Sequence, residues 1–418
     1  MHSMVNYFLE YNRYCNILGI GVVLAVASLF STHRSRINKR LVLSALGLQV
    51  CIGYAVLCTQ IGSACIVRFA DGVGYLYRCA AAGTQFLFGN LATANGPWGH
   101  VFALQVLPMI IFFGAFMALL FHFGIVQRVV ALLGALVRPV LKTTGAETLC
   151  AVANTFLGQT EAPLLIRHYL AKMTDSEILV VMISGMATTS GSILIVYASF
   201  GIPMHHLLAS SVMAIPAAIL IAKILLPETE ATQTDVVEVE KKSDKGNVFE
   251  ALSNGTSDGL FLTLNVAAML LSFYSLIVLI NLMIGGIGVW ISYFSGWDLP
   301  ALSLNVVFSW LFAPVGYLFG FTGSDALNIG QLIGTKISLN EFFAYRDLAA
   351  MNLSERATTI ATYALCGFSN FSSIGIQIGG IGALAPSKKG ILTRLGLKAV
   401  FGGVLANILT ALIVGLLL

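Results

Sequence analysis

The stretch GQTEAPLLIRHYLAKMTDSE (158–177) returns in looser form as SLNEFFAYRDLAAMNLSE (338–355). Glu161 matches Glu341, Arg167 matches Arg346, Met173 matches Met351, and Ser176-Glu177 matches Ser354-Glu355. Each block precedes a long apolar run broken by small polar residues, MATTSGS (186–192) in the first case and CGFSNFSS (366–373) in the second. Each follows a long apolar span and an amphipathic stretch, and one more span comes after. The chain therefore carries an internal repeat, covering about 101–226 and 259–418.

What surrounds these blocks is apolar: 57% of the residues are hydrophobic, 10% are charged, and the mean hydropathy is +0.87. Soluble domains carry about 25% charged residues, and far fewer cannot cover a water-facing surface. Soluble enzymes, nucleic-acid-binding modules and disordered chains are excluded, which leaves a protein of the lipid bilayer. At about 20 residues per crossing, spans fall near 17–31, 41–62, 101–124, 176–201, 205–226, 259–285, 353–379 and 394–418. Eight crossings with both termini outside put 17 of 23 Lys/Arg inside and six outside (Arg13, Arg68, Arg78, Lys336, Arg346, Arg356). That bias is what a multi-pass protein of the cell's inner membrane shows. Residues 1–100 read as N-terminal transmembrane helices and a peripheral segment. Eight of the 19 acids lie from Glu228 to Asp258, so 227–258 reads as a solvated cytoplasmic linker. The seven cysteines read as small apolar groups, although Cys65 and Cys79 could bridge in an oxidising compartment.

Two kinds of segment do not read as simple crossings. QRVVALLGALVRPVLK (127–142) has apolar residues at helical spacing with Arg128, Arg138 and Lys142 among them, the pattern of an interfacial helix; residues 301–320 read as its outer counterpart. The 145–173 and 323–350 stretches are too polar and broken to cross, and each reads as a re-entrant helical hairpin. With three crossings per repeat and a linker that begins and ends inside, the second copy is inverted. The fold class is an all-α integral membrane protein of about eight transmembrane helices plus two re-entrant hairpins. Inverted repeats with interrupted helices near the midplane are the architecture of secondary transporters.

A carboxylate inside a bilayer is costly and marks function or pairing. Glu161 and Glu341 fall at the expected hairpin tips, either paired with Arg167 or Arg346 or turned toward a polar substrate. Asn154, Gln159 and Thr160 lie near the first; Asn340, Asn370, Ser372 and Ser373 near the second. Amides, hydroxyls and carboxylates without an Arg or Lys clamp suit a neutral polyhydroxylated or amide-bearing solute. Broken helices also free carbonyls that, with Thr hydroxyls, replace the hydration shell of a hard cation; Asn154–Thr160 and Thr188-Thr189 stand where that is needed. No GxxxxGK[ST] or HExxH motif is present, so a gradient rather than ATP hydrolysis drives the work, and the chain reads as a carrier, not an enzyme.

FLGQTEAPLL (156–165), LNEFFAY (339–345) and ALCGFSNFSSIGI (364–376) resemble the concentrative nucleoside transporters, a likeness that runs over nearly the whole chain. The resemblance implies that Gln159, Thr160 and Glu161 recognise the nucleobase, that Glu341, Asn370 and Ser373 hold the ribose, and that Phe368 packs nearby. It also implies a sodium site of Asn154, Leu157, Thr160, Thr188 and Thr189, and a homotrimer whose transport domain slides along a scaffold. Two departures stand out. Thr188-Thr189 replace the more usual Ser-Ile, and RHYLAKM (167–173) has His168 and Ala171 where prolines are common. Some bacterial members couple to protons, so a proton-driven carrier is the alternative, with an amino-acid carrier behind it.

Overall fold

The computed structural model describes residue 7 and residues 10–93, 101–234, 247–295 and 302–418. Among them the secondary structure is all helical. The N-terminal part holds α1 (Arg13–Leu29), α2 (Lys39–Cys58) and α3 (Gln60–Phe88). Asn38 caps α2 by accepting from the backbone N–H groups of Arg40 and Leu41, which fixes its start. Thr59 ends α2 and caps α3 through the Gly62 N–H, so the expected span to residue 62 stops early. The peripheral segment holds a 29-residue helix whose apolar pattern Arg68, Asp71 and Arg78 interrupt. Cys65 and Cys79 both lie on α3 and are free thiols. Fourteen residues of helix hold them about 21 Å apart, so the suggested bridge is excluded.

The first repeat comprises α4 (Leu107–His122), α5 (Ile125–Leu141), α6 (Gly145–Ala153), the broken pair α7 (Asp175–Ala187) and α8 (Gly191–Ser199), and α9 (Met204–Leu225). The second comprises α10 (Val248–Ser295), α11 (Leu304–Leu318), α12 (Gly323–Ser338), α13 (Glu341–Ala350), the broken pair α14 (Glu355–Leu365) and α15 (Phe371–Leu384), and α16 (Lys389–Leu417). Six helices among the described residues are long and apolar enough to cross a membrane, and they fall on six of the eight expected spans. The other two expected spans are the broken pairs. On α5, Val126, Val130, Val137 and Leu141 are buried while Leu132, Leu136 and Val140 are exposed. One stripe thus packs on the protein and a second apolar stripe faces outward. Its expected counterpart, α11, instead pairs with α12 across a 114° bend.

Capping corrects the alignment of the repeats. Ser354 caps α14 by accepting from the Ala357 N–H, but Ser176 is not its equivalent. Thr174 caps α7 in a capping box with Glu177, two residues earlier than the Ser-Glu match implies. The linker also differs from its reading as a wholly solvated segment. Residues 248–258 are the first turns of α10, and residues 228–234 dock on the first repeat. Glu228 Oε2 accepts from Thr174 Oγ1 at 2.8 Å, the Thr234 carbonyl accepts from Ala146 N at 3.2 Å, and the Thr234 hydroxyl bonds Glu177. Beside them Lys223 Nζ pairs with Glu147 Oε2 at 2.8 Å, both buried. Residues 235–246 lie outside the described residues.

Helix α10 runs for 48 residues where a crossing of 27 was expected. That is about 72 Å of helix, more than twice a bilayer core of about 30 Å. It crosses α4 on glycines. A methyl group on Gly259 would lie 2.8 Å from Ile111 Cα, and one on Gly114 would lie 2.7 Å from the Gly255 carbonyl oxygen. Gly255 and Gly259 make the small-xxx-small spacing that lets two helices touch backbones. Leu271, Leu282 and Trp290 remain exposed, so much of α10 offers apolar surface to lipid or to another chain.

Candidate functional site

The two helix breaks meet. Phe368 N donates to the Thr188 carbonyl at 3.3 Å. A Cβ on Gly367 would lie 2.7 Å from Ala187 C, and its φ of +146° is one that side chains rarely adopt. Only glycine fits both demands. The polar residues that interrupt each apolar run are thereby brought to one place in the protein core.

Around that crossing, four of the expected substrate residues form one network. Glu341, 5% exposed, accepts at Oε2 from Asn370 Nδ2 at 3.1 Å. Asn370 Oδ1 caps α15, accepting from Ser373 N at 3.0 Å and Ser373 Oγ at 3.1 Å. Ser373 Oγ in turn accepts from Gln159 Nε2 at 3.3 Å. Side chains from both repeats are thus linked, and the hydrogen bonds hold the carboxylate in place while leaving lone pairs for a ligand hydroxyl. Gly185 allows the close approach: a Cβ there would lie 2.8 Å from Gln159 Cβ. Arg346 does not pair with Glu341; it pairs with Asp347 at 2.8 Å.

The remaining expected residues stand apart from this network. Glu161 is exposed, and its carboxylate accepts from Gly158 N at 3.2 Å. Thr160 packs its methyl against Gly380. Phe368 is half-buried beside the break. A cavity of about 370 Å³ between α10 and α13, lined by Tyr274, Gln331, Phe343 and Arg346 among others, contains none of the expected site residues.

One of the expected ion ligands carries a polar atom in need of a partner. Asn154 is fully buried; its Nδ2 donates to the Cys150 carbonyl and to Ser184 Oγ, both at 3.0 Å. Its Oδ1 is buried without a hydrogen-bond partner, a costly state unless a donor or cation completes it. Leu157, in the chain turn, and Thr188 and Thr189, at the helix break, are buried as well. The Thr188 hydroxyl donates to the Ser184 carbonyl at 2.7 Å, and the Thr189 hydroxyl lies 3.0 Å from Cys366 Sγ. Their oxygens suit a hard cation. Among the described residues no cluster of three His, Cys, Asp or Glu offers a metal site.

Sequence reasoning missed four members. Tyr197 Oη donates to Glu341 Oε1 at 2.8 Å and stacks on Tyr345 with ring centroids 4.4 Å apart. Gln377 Nε2 donates to Gln159 Oε1 and to the Met182 carbonyl, both at 3.0 Å. Lys336 and Asn407 form a further buried pair at 2.6 Å. Gln377 and Asn407 are isolated amides inside apolar helical runs, and that is the available signal for those two. Lys336, expected among the outer-loop charges, is instead buried in the core.

Family descriptions match in three pieces: Na+ dependent nucleoside transporter C-terminus over residues 206–415, the N-terminus of the same over 18–91, and a nucleoside recognition Gate over 103–204. The chain is 42% identical over 410 residues to an uncharacterized transporter of Haemophilus influenzae, covering 96% of this chain and 97% of that protein. It is 39% identical over 413 residues to the nucleoside permease NupC of Helicobacter pylori, covering 96% and 97%. The solved structure of CNTnw in an inward-facing substrate-bound state is similar with a TM-score of 0.89 at 39% identity, covering 97% and 98%.

Proposed function

The chain belongs to the Na+ dependent nucleoside transporter family, and from that membership we propose a sodium-driven symporter that imports nucleosides. The observation that carries the reading is the buried Glu341 carboxylate, held by Tyr197 and Asn370. A ribose offers adjacent hydroxyls, which such a carboxylate and the neighbouring Asn370 and Ser373 are suited to bind. Gln159, Thr160 and Glu161 would read the base, with Phe368 against it. Glu161, exposed in the chain turn, is able to meet a ligand that arrives through water.

Sodium is the coupling ion in this reading, bound by Asn154, Leu157, Thr160, Thr188 and Thr189. The partnerless Asn154 Oδ1 supports it. A tenfold sodium gradient and 100 mV across the membrane together sustain about 500-fold accumulation per ion. The broken helices joined at Gly367 would move as one body past α10 in an elevator-type cycle, within a homotrimer in the inner membrane. Both termini then face outside and the 227–258 linker faces the cytoplasm.

Purified protein in proteoliposomes tests the reading. Uptake of a panel of purine and pyrimidine nucleosides should follow an imposed sodium gradient at fixed pH. Equal uptake driven by a proton gradient without sodium reverses the ion assignment. Failure of every nucleoside alongside uptake of an amino acid overturns the substrate.

A further inference from the structure

Lys336 is a charge to which the sodium reading gives no task. It sits on α12 with 2% exposure, and its Nζ donates to the Ala364 carbonyl at 2.9 Å and to Asn407 Oδ1 at 2.6 Å. Asn407, from α16, donates through Nδ2 to the carbonyls of Ala187 and Cys366, both at 2.7 Å. That orientation of the amide follows from chemistry, because the two carbonyls only accept and the ammonium only donates. Ser369 Oγ completes the cluster at 3.1 Å from Asn407 Oδ1.

Ala187 is the last residue of α7, and Cys366 is the C-cap of α14. The C-terminal ends of the first halves of both broken helices therefore converge on one amide, with a lysine behind it. Each helix C-terminus carries about half a negative charge, so the two ends together match one ammonium. Among the described residues, Lys336 meets a carbonyl and an amide oxygen rather than a carboxylate.

The first repeat places Asn154 at the corresponding junction, where a hairpin arm packs on the end of a broken half-helix. There the hairpin side chain presents a buried acceptor, Oδ1, with no donor. At the first junction the protein presents an acceptor without a donor, and at the second it brings an ammonium on a four-carbon stem. We propose that Lys336 is a tethered cation that does in the second repeat what a sodium ion does in the first, so that the carrier takes one ion per cycle rather than two. This rests on the sodium-coupled reading. Lys336 acts as a positioning residue: it steadies the 366–370 break, from which Asn370 and Ser373 face the substrate.

The test uses the full-length protein in proteoliposomes, with uridine uptake measured against external sodium for wild type, Lys336→Met and Lys336→Arg, and folding followed by thermal melting. Lys336→Met should lose at least about tenfold in uptake at about 10 mM sodium and recover much of it near 500 mM, with a steeper, second-order sodium dependence. Lys336→Arg should keep the first-order curve of the wild type. In Lys336→Ala, added methylammonium should restore uptake by refilling the site with a small cation. A Met variant with the wild-type sodium curve, or one lowered equally at all sodium concentrations without methylammonium rescue of the Ala variant, overturns the proposal. So does failure of both neutral variants to fold at any sodium or methylammonium concentration, since the lysine is then a packing element. A wild type indifferent to sodium defeats the coupling reading instead, and methylammonium rescue still decides whether a cation is required at this position.

Discussion

The two hairpin segments descend from one pattern and are built differently. In the first, the 9-residue helix α6 gives way to a turn, a 3₁₀ segment at Ala162–Ile166 and a single helical turn, Arg167–Leu170. In the second, α12 and α13 are regular helices of 16 and 10 residues. Their matched glutamates have opposite surroundings, Glu161 exposed and Glu341 buried under Tyr197 and Asn370. The roots differ in the reverse sense. Beside the first, Lys223 and Glu147 form a buried pair; beside the second, Arg346 and Asp347 pair near the surface. From a shared sequence pattern, burial gives one segment a firmly held carboxylate and the other a firmly anchored base.

The largest expected effect separates the roots. Lys223→Met leaves Glu147 buried without its cation, which costs about 3–5 kcal/mol, whereas Arg346→Met at a half-exposed pair costs less than about 1 kcal/mol. Thermal unfolding in detergent measures both, and equal losses would erase the contrast. The glutamates come next. Glu341→Gln should cut nucleoside uptake by about a hundredfold while the protein stays folded, since hydrogen bonds to a charged partner contribute about 1.5–3 kcal/mol. Glu161→Gln, with water to replace its contacts, should lose about tenfold, mostly in KM. Wild-type uptake by the Glu341 variant would sink the ribose assignment. The smallest effect concerns the breaks. Gly367→Ala, at φ +146° and against Ala187, should cost about 1–3 kcal/mol. Gly191→Ala faces the Phe156 carbonyl oxygen at 3.2 Å and should stay within about 1 kcal/mol. Thermal melting ranks them.

Apolar length marks the six unbroken crossings in the sequence itself, and small polar residues inside apolar runs mark both breaks. The site was legible where chemistry and position coincide: Glu341, Asn370, Ser373 and Gln159 are polar residues with no other reason to lie in a bilayer. It was less legible where the partner comes from far along the chain. Tyr197 reads as an ordinary apolar-run aromatic until it meets Glu341, 144 residues away. Helix α3 was hidden by its own charges, and the start of α10 by the acids that make 227–258 look solvated. Lys336 misled because a rule that counts positive charge assumes each one lies in a loop, and this one ends in the core.

Asn407 carries a consequence for how the protein is made. Its amide closes carbonyls at Ala187 and Cys366, yet it lies 220 residues beyond the first of them. A ribosome that has finished the first repeat has produced a helix end whose carbonyl has no native partner, in a solvent that offers none. The first break therefore reaches its native hydrogen bonding only once α16 has been made and inserted.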